Sequence, residues 1–270
     1  MPSYQIKAYR SIYKQNKGKK HMIKKIILRD QKKYFMKEGE MQTSVKGVKK
    51  YYWQAGDLHT PDGIIKEKDL ESAKGKVLSH SGKEFQAMDA NFLDQIKRIN
   101  RGPQTLVAKD LGYILYHAGL NKDSVVVDAG AGCGLLAAIL AKYAGKVISY
   151  DMNKEHLTLA EKNLKFLNIN NVELKEGNVY EKIDEKDLDV LTLDLPEPWR
   201  VNLDCVKNGG TIIVYLPSIT QVTEFCNTTK EHVQKVVEII EREWHVQGRK
   251  VRPKSEMLGH TAFLIVLRKF

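Results

Sequence analysis

The stretch Val125-Val126-Val127-Asp128-Ala129-Gly130-Ala131-Gly132-Cys133-Gly134 decides the fold. Three β-branched residues closing on an acid read as a buried strand. The alternating glycines that follow can take backbone angles closed to other residues, and they let main-chain N–H groups approach a ligand. An apolar run follows, so the spacing predicts a helix over 134–143 and places the glycine turn between strand and helix. The third glycine of a dinucleotide-binding fingerprint would fall at Leu135 or Leu136, which argues against a dehydrogenase.

Downstream of this turn, strands and helices alternate. Strands are predicted over 146–150, 172–175, 188–193 and 211–215, the last preceded by the turn Asn208-Gly209-Gly210. Helices are predicted over 153–167, capped by Asn153, and from 219 to about 231. Two more β-type runs follow at 236–246 and 262–267; in the first, Val237, Ile240 and Trp244 also stand at helical spacing. Such alternation specifies an α/β domain with a doubly wound parallel sheet over residues 121–270.

Upstream the texture is different. Between 22 and 88, short runs such as Ile26-Ile27-Leu28, Lys33-Tyr34-Phe35, Tyr51-Tyr52-Trp53 and Gly63-Ile64-Ile65 are broken by turn signals, including Glu38-Gly39. They predict a small antiparallel β domain. Residues 89–120 read as a helical connector, with Phe92, Ile96 and Ile99 at helical spacing, a break at Arg101-Gly102-Pro103 and a second helix over 109–118. Residues 1–21 form a basic extension, expected to be dispensable. Residues 1–50 hold 15 Lys and Arg against three acids (Asp30, Glu38, Glu40), a net of +12, so the whole net charge of +11 is concentrated there and the remaining residues sum to −1. A local positive field of this kind attracts polyanions such as RNA; the same lysines could equally be a solvated tail. No run of 18 apolar residues and no apolar leader stands in the chain, and the three cysteines have no metal spacing. The expectation is a cytoplasmic protein that binds neither membrane nor metal.

Three further motifs fall at predicted strand ends, where parallel sheets bind ligands. Asp151 follows Ser149-Tyr150; it could simply initiate a helix, but paired with the glycine turn it reads as a carboxylate for both ribose hydroxyls of a nucleoside. Gly177-Asn178-Val179 could present an amide to an adenine amino group. Asp194-Leu195-Pro196-Glu197-Pro198-Trp199-Arg200 closes the fourth strand on a loop stiffened by two prolines. There Asp194 can accept a hydrogen bond from an exocyclic amine, while Trp199 offers a flat face to a base or packs beneath the loop.

With these residues in place, the chain resembles the tRNA (adenine-N1)-methyltransferase family of archaea and bacteria. The resemblance is carried by His59-Thr60 with Gly63-Ile64-Ile65, Gly82-Lys83-Glu84-Phe85, Arg101-Gly102-Pro103-Gln104 and Lys109-Asp110. It continues through the glycine turn, the Asp194–Arg200 loop, Tyr215-Leu216-Pro217-Ser218-Ile219-Thr220-Gln221-Val222 and Gly259-His260-Thr261-Ala262-Phe263-Leu264. It implies a class I S-adenosylmethionine-dependent methyltransferase, Rossmann-like with a mostly parallel seven-stranded sheet, acting as a homotetramer on the T-loop adenine at tRNA position 58 and sometimes 57. The cofactor would be held by Gln104, Ala129, Gly130, Gly132, Gly134, Leu135, Asp151, Met152, Asn178, Val179 and Asp194, with Asp194 also the catalytic acid residue. Trp199, Arg200, Arg252 and His260 are candidate RNA contacts; a surface ion pair for either arginine and a structural role for His260 stay open. Val107-Ala108 depart from the family's aromatic-Pro pair, a place thought to help hold the target base. Two rival readings are an N6-adenine RNA methyltransferase, disfavoured because Leu195 and Glu197 interrupt an acid-Pro-Pro run, and a non-catalytic RNA-binding subunit, disfavoured by the intact glycine turn.

Overall fold

A computed structural model describes residues 22–37, 40–102 and 105–270. The chain divides into two compact units, one ending at Lys97 and the other beginning at Arg98.

The first unit contains strands β1 (Lys25–Lys37), β2 (Glu40–Trp53), β3 (Leu58–Thr60), β4 (Gly63–Ile65), β5 (Gly75–Leu78) and β6 (Glu84–Asp89), and short helices α1 (Glu67–Ser72) and α2 (Phe92–Ile96). Its main sheet is antiparallel in the order β2-β1-β6-β5, and β3 and β4 form a separate hairpin. Alternation decides which face is covered: Phe85 and Ala87 are buried while Glu84 and Gln86 are exposed, and Ile27, Trp53, Ile65, Leu70 and Val77 complete the core. The two β-type runs expected before residue 36 are one continuous strand; the turn expected at Glu38-Gly39 lies outside the described residues. Asn91 and Asp94 cap α2 reciprocally, and Gln95 exchanges hydrogen bonds of 2.9 and 2.6 Å with the backbone of Ile23. Those bonds tie α2 to this unit, so the 89–120 segment read as a connector is shared between the units.

The second unit is built on strands β7 (Val125–Ala129), β8 (Lys146–Asp151), β9 (Val172–Glu176), β10 (Leu188–Leu193), β11 (Val206–Leu216), β12 (His232–Glu238) and β15 (Phe263–Arg268). They form one seven-stranded sheet in the order β12-β15-β11-β10-β7-β8-β9, with only β15 running against its neighbours. Helices α3 (Ala108–Ala118), α4 (Leu135–Leu140), α5 (Lys154–Phe166) and α6 (Ile219–Thr228) connect or flank it. The expected mostly parallel seven-stranded sheet is therefore present. Central strands carry Val126, Val127, Leu191, Leu193, Ile212 and Val214 at almost zero exposure, as strands covered on both faces must.

Four stretches differ from the sequence reading. Helix α4 ends at Leu140, because Lys142 and Tyr143 turn back to Ile139 and Leu140 with three-residue bonds that tighten the chain before β8. Helix α6 ends at Thr228, before the extended Thr229. The run expected over 236–246 is neither one strand nor a helix: β12 ends at Glu238, and β13 (Trp244–Gln247) pairs with β14 (Lys250–Pro253) in a separate two-stranded sheet. Asn208-Gly209-Gly210 lies inside the span of β11, where the register against β10 shifts; Gly209 has φ 78°, and at Gly210 a side chain would strike Val206.

Candidate active site

Strand order sets the place of the site. The chain runs outward through β7, β8 and β9, then returns to β10 on the other side of β7. A crevice opens at such a switch, outside the carboxyl ends of β7 and β10. Ala129 pairs with Leu193, so the glycine turn and Asp194 leave the sheet side by side.

Each glycine in the turn has its own reason. Gly130 has φ 102°, and a methyl group there would land on the carbonyl oxygen of Asp194. Gly134 has φ 77°, and a methyl group would press on Ala160 of α5. Gly132, at φ 51°, meets nothing nearer than 3.9 Å, so its surface is open for a ligand to approach. Buried Asn163 braces the turn from α5, donating to the Cys133 carbonyl at 2.8 Å.

Asp151, ending β8, is wired to this turn. Its Oδ2 accepts from the Gly132 N–H at 3.0 Å and sits 3.1 Å from the exposed His156 ring, while Oδ1 accepts from the Asn153 N–H at 2.9 Å. A carboxylate offers about four lone-pair sites. The Gly132 and Asn153 N–H groups and the His156 ring occupy three of them. Neighbouring Tyr150 is buried and donates at 2.6 Å to Glu185, which also takes Lys175 at 2.5 Å. Burial and the Glu185 charge push the Tyr150 phenol up to about 12, so it remains a donor that locks the ends of β8 and β9 together.

Two carboxyls stand close on neighbouring strands, Asp128 wholly buried in β7 and Asp194 partly buried just beyond β10. Asp128 is wholly buried and accepts from Ser149 at 2.7 Å and Thr192 at 2.9 Å; burial outweighs those bonds and raises it to about 6, with Asp151 adding to the rise. Asp194 is pushed further, to about 7, by burial and then by the Asp128 charge. Its side chain accepts no hydrogen bond from any described residue, though its N–H is fixed to the Ala129 carbonyl at 3.0 Å. A desolvated, unpartnered acid at a strand end favours any ligand that brings it a donor or a positive charge.

The loop beyond Asp194 is braced from both sides. Gln221 of α6 donates to the Pro196 carbonyl at 2.9 Å, and the Glu197 N–H donates to the Tyr180 hydroxyl at 3.3 Å. Arg200 pairs with Glu197 at 2.6 Å and lies 4.8 Å from the centre of the Tyr180 ring. Trp199 packs on the core beneath the loop.

A model of the family described as the tRNA methyltransferase complex GCD14 subunit matches residues 97–263. The chain belongs to this family. Among relatives, a Methanocaldococcus jannaschii protein named tRNA (adenine(57)-N(1)/adenine(58)-N(1))-methyltransferase TrmI is 36% identical, over 76% of this chain and 86% of the relative. A Thermus thermophilus tRNA (adenine(58)-N(1))-methyltransferase TrmI is 31% identical, over 80% and 90%. Two solved structures share the fold. One is a SAM-dependent O-methyltransferase from Thermotoga maritima (TM-score 0.73, 25% identity, 93% of this chain and 94% of that one). The other is the tRNA (m1A58) methyltransferase TrmI from Aquifex aeolicus (TM-score 0.72, 22% identity, 94% and 99%). Those two folds are equally near yet carry different acceptor names, so the scaffold by itself does not choose the acceptor.

In this GCD14-family chain, Ala129, Gly130, Gly132, Gly134, Asp151 and Asp194 gather at the crevice. Leu135 opens α4 and is buried; Met152 is exposed beside Asp151. Asn178 stands at the end of β9, but its amide caps the local turn, accepting from the Tyr180 N–H at 3.1 Å and donating to Glu181 at 2.9 Å. Val179 is buried in the core. Gln104 lies outside the described residues. Trp199 is partly buried against the core, and Arg200 stays half-exposed in its pair with Glu197. Arg252 sits on the β13–β14 hairpin, paired in register with His245. His260 bridges the Glu238 carboxylate (2.5 Å) and the Pro217 carbonyl (2.9 Å); two acceptors on two ring nitrogens call for the imidazolium, and the Glu238 bond raises its pKa. Val107 is the N-cap of α3 and Ala108 its first residue, so the family's Pro would have stood where a helix accepts one. Sequence reasoning gave no role to Tyr215. It is half-buried one step beyond the Leu193–Val214 pairing, within the field of Asp194, and only the register of β10 and β11 could have placed it there.

Proposed function

We propose that this chain transfers a methyl group from S-adenosylmethionine to N1 of an adenine in the tRNA T-loop, at position 58, with 57 as the second candidate. The observation that carries the reading is the Asp194 carboxylate, desolvated and without a hydrogen-bond donor among the described residues, one strand over from the glycine turn in a chain of this family.

The crevice fits the cofactor. The open face of Gly132 would let the cofactor lie close against the turn, and Asp151 would accept its ribose hydroxyls. The cofactor supplies a methyl group on a sulfonium, already activated toward transfer. Adenine N1 has an in-plane lone pair and no proton to lose, so no general base is needed before attack. Asp194 accepts from the adenine N6–H and thereby orients N1. As the ring becomes cationic, the same carboxylate stabilises the developing charge, strongly so because it is shielded from water. The target adenine is stacked in folded tRNA and must be swung out to reach this depth.

We also propose that the protein acts in the cytoplasm as a homotetramer. Supporting this, Trp244, Val246 and Val251 are exposed along one face of the β13–β14 hairpin, a strip that another copy would cover. No helix among the described residues is long and apolar enough to cross a membrane. The test is transfer from labelled S-adenosylmethionine to unmodified tRNA, with nucleoside mass spectrometry and position mapping. 1-Methyladenosine in the T-loop is expected; N6-methyladenosine, or no incorporation, overturns the assignment.

A further inference from the structure

Beside Asp194 lies a buried polar network that the transfer chemistry does not use. Lys109 and Asp110, consecutive at the start of α3, form an ion pair of 2.7 Å with side chains 6% and 0% exposed. The Lys109 ammonium also donates to the Thr261 hydroxyl at 2.5 Å. On its other oxygen, Asp110 accepts from the Tyr215 hydroxyl at 3.2 Å. Thr261 lies against the same phenol oxygen, and burial with the Asp110 charge holds the Tyr215 phenol well above its ordinary range. Four side chains from α3, the end of β11 and the segment before β15 are thus joined around one tyrosine ring.

A buried ion pair is a poor source of stability, because the desolvation of two charges roughly cancels their attraction. Its use is to fix geometry. The Tyr215 hydroxyl has its proton committed to Asp110, so it has no donor left for a substrate. What it can offer is the ring, held in one orientation beside the carboxylate that receives the base.

We propose that Lys109, Asp110 and Thr261 are positioning residues that act through Tyr215, setting its ring as a rigid wall for the methyl-acceptor base. This rests on the transfer reading above. It predicts coupling: the network matters only while the Tyr215 hydroxyl is there to be held.

The experiment is a double-mutant cycle on the full chain with Asp110→Asn, Tyr215→Phe and the double variant, measuring kcat and KM for tRNA, the Kd for S-adenosylmethionine and the melting temperature. Each single variant should lower kcat roughly tenfold and leave the cofactor Kd within about twofold, and the double should be no slower than the slower single. Tyr215→Leu, which removes the ring, should be slower than Tyr215→Phe. Should Asp110→Asn fold poorly, Thr261→Val replaces it in the same cycle. Multiplying losses, or equal loss of kcat and of cofactor affinity, would overturn the positioning role while the transfer reading stood. A wild-type protein that methylates no tRNA would instead bring down the transfer reading, and this role with it.

Discussion

Replacing Asp194 by Asn should make the protein more stable at alkaline pH while removing most methyl transfer. In the folded chain this carboxyl sits at about 7, against an ordinary value of 3.8, because burial and the Asp128 charge disfavour its ionised form. A carboxyl raised on folding binds its proton more tightly in the fold than in the unfolded chain. Its penalty is therefore absent below the unfolded pKa, grows as pH rises toward 7 and is constant above. At 1.36 kcal/mol per unit, the cost is about 4 kcal/mol at pH 8 and about 1.6 kcal/mol at pH 5. Asn cannot ionise, so the variant should gain about 2–3 kcal/mol more over wild type at pH 8 than at pH 5, or roughly 5–10 °C in Tm. Comparing the two pH values cancels the pH-independent effects of the amide, and Asp128 titrates in both proteins. The assay is chemical and thermal unfolding of both proteins without cofactor at pH 5 and pH 8. A Tm difference that is the same at both, or smaller at pH 8, would refute the account of Asp194 as a desolvated, unpaired carboxylate. In the transfer assay, loss of the negative charge should cost on the order of 10²–10³ in kcat; near-normal turnover would remove Asp194 from the mechanism.

Other consequences follow from single contacts. Asp151→Ala should raise the Kd for S-adenosylmethionine by roughly tenfold or more in titration calorimetry, since it removes the acceptor of two ribose hydroxyls; an unchanged Kd would place the cofactor elsewhere. Gly130→Ala should cost about 3 kcal/mol in urea unfolding, since the methyl meets the Asp194 carbonyl at an unfavourable φ, against about 1 kcal/mol for Gly132→Ala, which is strained but unobstructed. Equal costs would mean that the turn does not press on Asp194 as described. His260 has its pKa raised by Glu238 and Pro217, so its clasp contributes below the unfolded His value and fades as pH rises through the folded one. His260→Ala should thus lower Tm more at pH 6 than at pH 9; the opposite order would show that the ring is not held as the imidazolium.

The sequence by itself determined the local alphabet of the site. A strand, glycine turn and helix could be read at 125–134 because only glycine suits that backbone, and Asp151 and Asp194 could be placed at strand ends because the alternation of apolar runs ends there. The parallel sheet followed from the same alternation, and so did the crevice. Ambiguous stretches resolved only in three dimensions: 236–246 carries both periods, and the separate pairings of β12 with β15 and of β13 with β14 split it into two strands. Roles that depend on neighbours were likewise out of reach. Trp199 and Arg200 have the chemistry to meet RNA, and only the tertiary structure shows that one also packs on the core beneath the loop and the other pairs with Glu197 over the Tyr180 ring. Tyr215, Lys109, Asp110 and Thr261 are up to 152 positions apart in the chain, and no periodicity links them. The tertiary structure decided their meeting, because hydrogen bonds and desolvation act through space, and strand register is set by the whole sheet.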